Sequence, residues 1–400
     1  MSMKKSFVAL LIFVLAGSLL AACGKKSNSE ASSGGGGSNK TVIKIATQSP
    51  LSGGSAVQGE AIKLGAQLSL DDHKDEFAKL GFDIQLAPYD DQADPKKGVA
   101  NAELVAADKQ ILAVVGHMNS GVAIPSSVVY EKYNIPMVSP SNTATQVTDR
   151  KLKVVNRIVA RDDFQGPAAA QYAVQTAGAK NIFVIQDKTA YGQGLAEAFK
   201  TEAEKQGAKI AGYESITIGE KDFNGILNQA LTKKPDFIFF GGLYAEAGLL
   251  VKQAKEKGLD VPFMGADGID TQGIVDVAGD KVTGVLYTSI STDITKTADG
   301  KAWADKYKQK FGKNVDGYSA YAYDCMSVIL EALKKAINDN GGKLPSREQV
   351  RDAVRATKDF QGVATKVTFD DKGDNDYAKV FIYKFEKAAY PGSMISDISK

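Results

Sequence analysis

Hydrophobic positions after residue 40 follow two alternating patterns, short runs rich in β-branched residues and longer segments with helical spacing. In a first series, each short run is followed by a helical segment: Thr41–Thr47 by Gly59–Asp72, Asp83–Tyr89 by Pro95–Asp108, and Ile111–Gly116 by Val122–Lys132. The series ends on the run Ile135–Val138. Alternation of this kind predicts βαβ units and a parallel sheet. Asp94 before Pro95 supports a helix start there, because aspartate caps helix N-termini and proline suits the first helical position.

A second series of the same kind follows the strand-like segment Val154–Arg161. Its pairs are Asn181–Gln186 with Gly192–Gln206, Ile210–Ile216 with Phe223–Lys233, and Asp236–Phe240 with Ala245–Lys257, and it ends on Val261–Met264. The runs are continuously apolar, as burial on both faces of a parallel sheet requires. We therefore predict an α/β fold with two doubly wound, Rossmann-like lobes.

The remainder of the chain, Gly284–Lys400, contains a further strand, a long helix near Tyr318–Asn338 and closing strands at Lys366–Phe369 and Val380–Phe385. Part of this region has to complete the first lobe, so we expect a hinge that the chain crosses more than once. The predicted boundaries are 41–161 plus 291–365 for lobe 1, and 162–290 plus 366–400 for lobe 2.

The first forty residues have a different composition. Lys4 and Lys5 precede the apolar run Phe7–Leu20, which has the length of a signal-peptide hydrophobic region and is short for a membrane span. Small residues then precede Cys23, which resembles the bacterial lipobox, where the cysteine is lipidated and the chain is cut before it. We expect a signal peptide over 1–22, a lipidated Cys23 and a flexible linker over 23–40, with the body anchored on the extracytoplasmic face of the cell membrane. An ordinary cleavage site beside an accidental cysteine is the alternative.

Charge and composition exclude several classes of function. Lys and Arg total 49 against 47 Asp and Glu, and removal of Lys4 and Lys5 makes them equal, so no basic surface for nucleic acid is expected. Cys23 and Cys325 are too few and too unlike in surroundings for a disulfide framework or a cysteine zinc site. With only two histidines, His73 and His117, we expect no metal, no cofactor and no enzyme activity.

Enzyme motifs are also missing from the sequence. The first strand is not followed by Gly-x-Gly-x-x-Gly, and the chain contains no Gly-Lys-Ser/Thr loop. His117 lies three residues before Ser120, but no Gly-x-Ser-x-Gly elbow surrounds that serine. An anchored hydrolase is therefore a disfavoured alternative.

Loops after the predicted strands are candidate ligand contacts, because ligands of open α/β sheets bind at the carboxyl ends of strands. In the first lobe these loops are rich in hydroxyls and glycines, in Ser52–Ser55, Asp90–Gln92, Asn119–Gly121 and Ser139–Thr143. Hydroxyls and free N–H groups at helix N-termini bind anions, and the lack of Arg or Lys favours a carboxylate over a phosphate. The same residue types also cap helices and form turns without any ligand.

Second-lobe loops offer an acid, aromatic rings and apolar groups, in Asp187–Gly192, Gly241–Glu246 and Gly265–Gly268. Opposite an anion site, this set suits a zwitterion with an apolar side chain. Asp267 would then pair with an ammonium group, although an aspartate before a glycine is more often a turn residue.

Six motifs along the chain together resemble the substrate-binding proteins of branched-chain amino acid ABC transporters, which have the type 1 periplasmic binding protein fold. They are Gly116–Ser120, Ser139–Thr143, Gln165–Pro167, Asp187–Gly194, Gly219–Phe223 and Phe263–Gly268. The match runs in order from Thr41 to about Lys387. The resemblance implies that Ser120 and Thr143, with backbone N–H groups near Ser141 and Asn142, hold the ligand carboxylate, that Asp267 takes the ammonium, and that Tyr191 closes over the ligand.

The positions where this family often has aromatic side chains around the ligand differ in this sequence. They carry Gln58 and Leu243, so the specific amino acid is left open. Tyr244 and Tyr318 are candidate replacements for the missing aromatic walls.

The resemblance implies a lipoprotein that captures an amino acid, branched-chain or otherwise aliphatic, by hinge closure and delivers it to the permease subunits of an ABC importer. We expect a monomer without a nucleic-acid partner. The alternatives are a related binder of small amides or carboxylates and a sensory ligand-binding protein. A ligand without an ammonium group would be insensitive to Asp267→Ala, which distinguishes the first alternative.

Overall fold

The computed structural model describes residues 40–398. The predicted signal peptide over 1–22, the lipidation of Cys23 and nearly all of the linker lie outside the described residues. Within 40–398, every helix is too short or too polar to cross a membrane.

The first sheet is built from the first series of runs and is entirely parallel, with the strand order β2-β1-β3-β4-β5. Its strands are β1 (Thr41–Ser49), β2 (Phe82–Asp90), β3 (Ile111–Gly116), β4 (Met137–Ser139) and β5 (Val155–Arg157). The connecting helices are α1 (Ala56–Lys79), α2 (Pro95–Ala107), α3 (Ser120–Lys132) and α4 (Gln146–Asp149). As predicted, Asp94 caps α2, accepting hydrogen bonds from the backbone N–H groups of Lys96 and Lys97.

The second sheet has seven strands in the order β14-β13-β10-β9-β8-β6-β7. They are β6 (Asn181–Gln186), β7 (Lys209–Ser215), β8 (Phe237–Gly241), β9 (Phe263–Gly265), β10 (Leu286–Ser289), β13 (Val380–Lys384) and β14 (Ser393–Ile398). Its helices are α5 (Asp162–Gln171), α6 (Ala190–Lys205), α7 (Asn224–Lys233), α8 (Tyr244–Glu256) and α9 (Gln272–Ala278). Five strands are parallel, whereas β13 and β14 are antiparallel to their neighbours. Two α/β sheets with flanking helices confirm the predicted fold class.

The last third of the chain adds α10 (Ala298–Phe311), α11 (Ser319–Asp339) and α12 (Arg347–Arg355). The predicted long helix is thus confirmed within one residue at each end. It packs on α1, and a Cβ on Gly65 of α1 would lie 2.0 Å from the carbonyl oxygen of Ser319. Glycine allows this close approach of the two helices.

The predicted strand Lys366–Phe369 was too long. Only Lys366–Val367 (β12) is extended, and it pairs with Phe360–Gln361 (β11) in a separate two-stranded ladder. The chain then folds back, because Asn375 donates a side-chain hydrogen bond to the carbonyl of Lys366 and bridges with Phe369. This return prevents the strand from continuing into a large sheet.

A buried ion pair joins β5 to the segment after β12. The Nε atom of Arg157 lies 2.6 Å from Oδ1 of Asp374, and Nη2 donates to Thr148. Residues near 374 therefore contact the end of the first sheet before β13 enters the second sheet. The proposed lobe boundaries at 161/162, 290/291 and 365/366 stay predictions.

Candidate functional site

A cavity of about 320 Å³ lies where loops from the carboxyl ends of both sheets face each other. Six of the predicted ligand-binding residues line it, namely Ser120, Ser141, Tyr191, Leu243, Asp267 and Tyr318. The other lining residues are Ala93, Pro95, Met118, Asn119, Gly121, Val122, Lys188, Thr189, Ala190 and Ile218. Five of the seven predicted loops thus meet at one cavity although they are far apart in sequence, whereas Ser52–Ser55 and Asp90–Gln92 do not line it.

One end of the cavity is formed by the N-terminus of α3. The helix begins at Ser120, and Ser120, Gly121 and Val122 all line the cavity. The hydroxyl oxygen of Ser120 accepts a hydrogen bond from the N–H of Ala144 at 3.3 Å, which leaves its own proton available to a ligand. First-turn N–H groups of a helix have no intrahelical acceptor and carry partial positive charge. This end suits a carboxylate.

The loop after β4 is held against the loop after β3. Ser141 donates its hydroxyl proton to the carbonyls of His117 (3.1 Å) and Met118 (3.2 Å), and Asn142 donates from Nδ2 to Met118 at 2.8 Å. Thr143 is buried, and its hydroxyl has no hydrogen-bond partner among residues 40–398. Asn142 and Thr143 are outside the cavity lining, so their role in ligand binding stays a prediction.

The opposite end of the cavity contains the buried carboxylate of Asp267. Its Oδ1 accepts hydrogen bonds from the hydroxyl of Tyr191 (2.8 Å) and from Nε2 of Gln165 (2.7 Å), and Oδ2 accepts one from the hydroxyl of Tyr318 (3.0 Å). These three partners are neutral. Burial raises the pKa of Asp267 to about 7, because the charged form loses its hydration. A ligand ammonium would supply the missing positive charge.

Tyr191 is positioned by the first turn of α6. Thr189 caps this helix by accepting from the N–H of Gly192 at 2.9 Å, and Asp187 in turn accepts from the hydroxyl of Thr189 at 2.6 Å. Burial, followed by the charge of Asp267, raises the pKa of Tyr191 well above its usual value. The phenol is therefore protonated and donates to Asp267.

A second buried acid, Asp162, lies at the first position of α5. Neither of its carboxylate oxygens has a hydrogen-bond partner within the described part of the chain. Burial and then the negative charge of Asp267 raise the pKa of Asp162 to about 8. The sequence prediction missed Asp162, because an acid in the first helical turn is also common without a ligand. It included Gln165 in a motif but assigned it no role, since nothing local indicates its contact with Asp267.

Apolar side chains cover the rest of the cavity, chiefly Pro95, Met118, Val122, Ile218 and Leu243. These residues provide a surface for an aliphatic group. Met118 belongs to the quoted motif Gly116–Ser120, whereas Ile218 lies directly before the quoted motif Gly219–Phe223 and was given no role.

The two positions that depart from the family's aromatic pattern, Gln58 and Leu243, differ in their location relative to the cavity. Leu243 lines the cavity, whereas Gln58 lies outside the lining and donates from Nε2 to the carbonyl of Gly268 at 3.3 Å. Of the two candidate replacements, Tyr318 lines the cavity. The ring of Tyr244 instead packs on Gly273, 2.5 Å from where a Cβ would stand. Binding roles for Gln58 and Tyr244 stay predictions.

Ser120 and His117 do not form a nucleophile and base pair. The imidazole of His117 is buried, with Nε2 at 3.2 Å from the hydroxyl of Tyr130 and Nδ1 at 3.6 Å from Oδ2 of Asp91. The hydroxyl of Ser120 contacts Ala144 instead. This geometry does not activate the serine.

Comparison with known proteins places the chain in a family. A model of the periplasmic binding protein family matches residues 42–389. The chain is 33% identical over 347 residues to the leucine-, isoleucine-, valine-, threonine-, and alanine-binding protein of Pseudomonas aeruginosa, covering 87% of this chain and 91% of that protein. It is 35% identical over 343 residues to Leu/Ile/Val-binding protein homolog 1 of Brucella abortus, covering 85% and 89%.

A solved structure has the same fold. The branched-chain amino acid transporter substrate binding protein LivJ from Streptococcus pneumoniae, in complex with isoleucine, superimposes with a TM-score of 0.80 at 26% identity, covering 89% of this chain and 99% of LivJ. These matches confirm the resemblance found in the sequence motifs. The chain therefore belongs to the periplasmic binding protein family, in the branch that contains the Leu/Ile/Val-binding proteins.

Proposed function

We propose that this protein captures an amino acid with an aliphatic side chain outside the cytoplasm and delivers it to an ABC importer without catalysing a reaction. The buried carboxylate of Asp267, held by three neutral donors, carries the proposal. It faces a cavity that also offers a helix N-terminus at Ser120 and an apolar wall. An α-amino acid has the three matching groups.

The ligand would act by joining the two sheets. Loops of the first sheet, with Ser120 and Ser141, would hold the carboxylate, and loops of the second sheet would add Tyr191 and Asp267. Because both sets engage only when the lobes are closed, the ligand stabilises the closed state over the open one.

Relatives support the ligand class. The Pseudomonas aeruginosa relative is named for leucine, isoleucine, valine, threonine and alanine, and LivJ was solved with isoleucine. Leu243 and Tyr318 in the cavity are compatible with aliphatic side chains of this range. The protein would act as a monomer, held to the membrane by lipid on Cys23 and docking on permease subunits.

Calorimetric titration of refolded, ligand-stripped protein beginning at Lys40 against each of the twenty amino acids tests this function. Refolding removes ligand carried over from the cells. We expect one-to-one binding of at least one aliphatic amino acid. If none of the twenty amino acids bound, the proposed amino acid binding would be overturned. Titration with small carboxylates and amides would then test the alternative class of ligand.

Distance measurements between labels on the two lobes test the mechanism. We expect the separation to shorten when the ligand that binds in calorimetry is added. An unchanged separation with a confirmed ligand would contradict hinge closure.

A further inference from the structure

Three side chains that can ligate a metal converge between α1 and α11, outside the amino acid cavity. His73 and Glu76 lie on α1, and Glu331 lies on α11. One ligand atom from each lies within 4.8 Å of the other two, and all three residues are partly buried. His73 and Glu331 also line an open groove, so the cluster is accessible from solvent.

The hydrogen bond of His73 determines which ring nitrogen is free. Its Nδ1 lies 2.7 Å from the carbonyl oxygen of Ser69, one helical turn earlier. A carbonyl only accepts hydrogen bonds, so Nδ1 carries a proton, and in the neutral imidazole Nε2 then keeps its lone pair. Metal-binding histidines are commonly oriented by such a bond from the nitrogen that does not ligate.

The two glutamates each retain a free oxygen. Oε1 of Glu76 and Oε1 of Glu331 accept from the ammonium of Lys334 at 2.8 and 2.7 Å. Their Oε2 atoms have no hydrogen-bond partner within residues 40–398. A cation thus already lies between the two carboxylates, and a metal ion would compete with it.

We propose that His73, Glu76 and Glu331 bind a zinc ion, with water completing the coordination. Zinc accepts imidazole nitrogen and carboxylate oxygen at about 2.0–2.2 Å, whereas calcium prefers an all-oxygen set. Tetrahedral coordination at these lengths separates ligand atoms by about 3.4 Å, so the side chains have to move inward from their present positions. Partly exposed glutamates on helix surfaces can make this movement by rotating.

Bound zinc would cross-link the two helices. α1 and α11 pack against each other along the first lobe, and they contribute two ligands and one ligand respectively. Zinc that binds only to the folded state would raise the temperature at which the protein unfolds. The proposal departs from the sequence expectation of no metal, because one histidine is enough when two glutamates join it.

Zinc titration of the tag-free mature protein by calorimetry, with Co²⁺ absorption as a second readout, tests the site. We expect one zinc per chain. His73→Ala should lower the zinc affinity at least about tenfold, and Glu331→Gln should also weaken it. Lys334→Gln should raise the affinity, because it removes the competing ammonium. Glu256→Gln, an exposed glutamate on α8, is the matched control and should bind zinc like the parent protein.

Two results would overturn the site, namely no stoichiometric zinc binding, or equal zinc affinity in His73→Ala. Loss of zinc binding by a misfolded variant is recognised from its far-UV circular dichroism and amino acid affinity. Because none of the three residues lines the amino acid cavity, the zinc result and the proposed amino acid function succeed or fail separately.

Discussion

Asp267 is a buried carboxylate whose three neutral hydrogen-bond donors leave its charge uncompensated. Replacement by the isosteric asparagine, Asp267→Asn, should lower amino acid affinity by about 2–5 kcal/mol, because the ligand ammonium loses its charged partner in a desolvated site. Calorimetry at pH 8 measures the loss. Asp324→Asn is the matched control, since burial also raises the pKa of Asp324 to about 7 but its carboxylate accepts from the backbone of 363–365, away from the cavity. Equal affinity of Asp267→Asn and the parent protein would contradict the assignment.

The raised pKa of Asp267 also predicts a pH-dependent affinity. The ligand ammonium pairs with the ionised carboxylate, and in the unliganded protein burial raises the pKa of Asp267 to about 7. Below that pH the carboxyl has to lose a proton before binding. Affinity should therefore fall by about 30-fold between pH 8 and pH 5.5. Titration at several pH values checks this, and a slope that persists in Asp267→Asn would assign the effect to another group.

At the level of elements, the loops after β8 and β9 pack so closely at Gly268 that a side chain at this position would clash. A Cβ on Gly268 would lie 2.4 Å from the carbonyl oxygen of Gly242 and 3.0 Å from the hydroxyl of Tyr191. Gly268→Ala should therefore displace Tyr191 and Asp267 and reduce ligand affinity at least about tenfold, while the chain still folds. Calorimetry measures the affinity, and circular dichroism verifies the fold.

Gly225→Ala provides the comparison, because nothing lies within 4 Å of its Cβ position in α7. This variant should bind normally and be slightly more stable, since alanine favours the helix. If Gly268→Ala behaved like Gly225→Ala, the close packing of the two loops would not matter for the site.

For the whole molecule, several buried carboxyls should make the ligand-free protein less stable as the pH rises. Burial raises the pKa values to about 8 for Asp162, about 7 for Asp267, Asp316 and Asp324, and about 6 for Asp187. Between pH 5 and pH 8 the folded state thus binds more protons than the unfolded state. The free energy of unfolding then decreases with increasing pH.

Urea unfolding of the ligand-free protein should accordingly give a higher midpoint at pH 5 than at pH 8. Saturating ligand should reduce this difference, because an ammonium beside Asp267 stabilises the charged carboxylate. A midpoint that rises with pH would contradict the prediction. The comparison stops at pH 5, because at lower pH carboxyls with a lowered pKa, such as Asp374, become protonated and this decreases the free energy of unfolding.

The attachment of the body to the membrane is predicted from Cys23. Cys23→Ser should abolish labelling of the protein by a fatty acid, because serine has no thiol to which the lipid can be attached. Gel electrophoresis after labelling measures the effect, with the parent protein as the control. Fatty-acid label on Cys23→Ser, or no label on the parent protein, would contradict the lipid anchor.

The sequence by itself predicted the series of elements. Apolar periodicity is a local property, so buried β3 and the long helix α11 were recognised from their own residues. The positions of loops after strands also predicted that Ser120, Ser141, Tyr191 and Asp267 would share a site. Strand β12 was predicted too long, since the return of the chain at Asn375 depends on contacts outside the run.

Only the tertiary structure decided which side chains meet. The hydrogen bond from Gln165 to Asp267 spans 102 positions, and the link from Lys334 to Glu76 spans 258. No local pattern encodes such contacts, because they arise when packed sheets and helices bring distant loops together. Burial, which sets the pKa of Asp267 and of Asp162, likewise exists only in the folded protein. The sequence thus determined the elements and the family, while packing decided the charge state of the site.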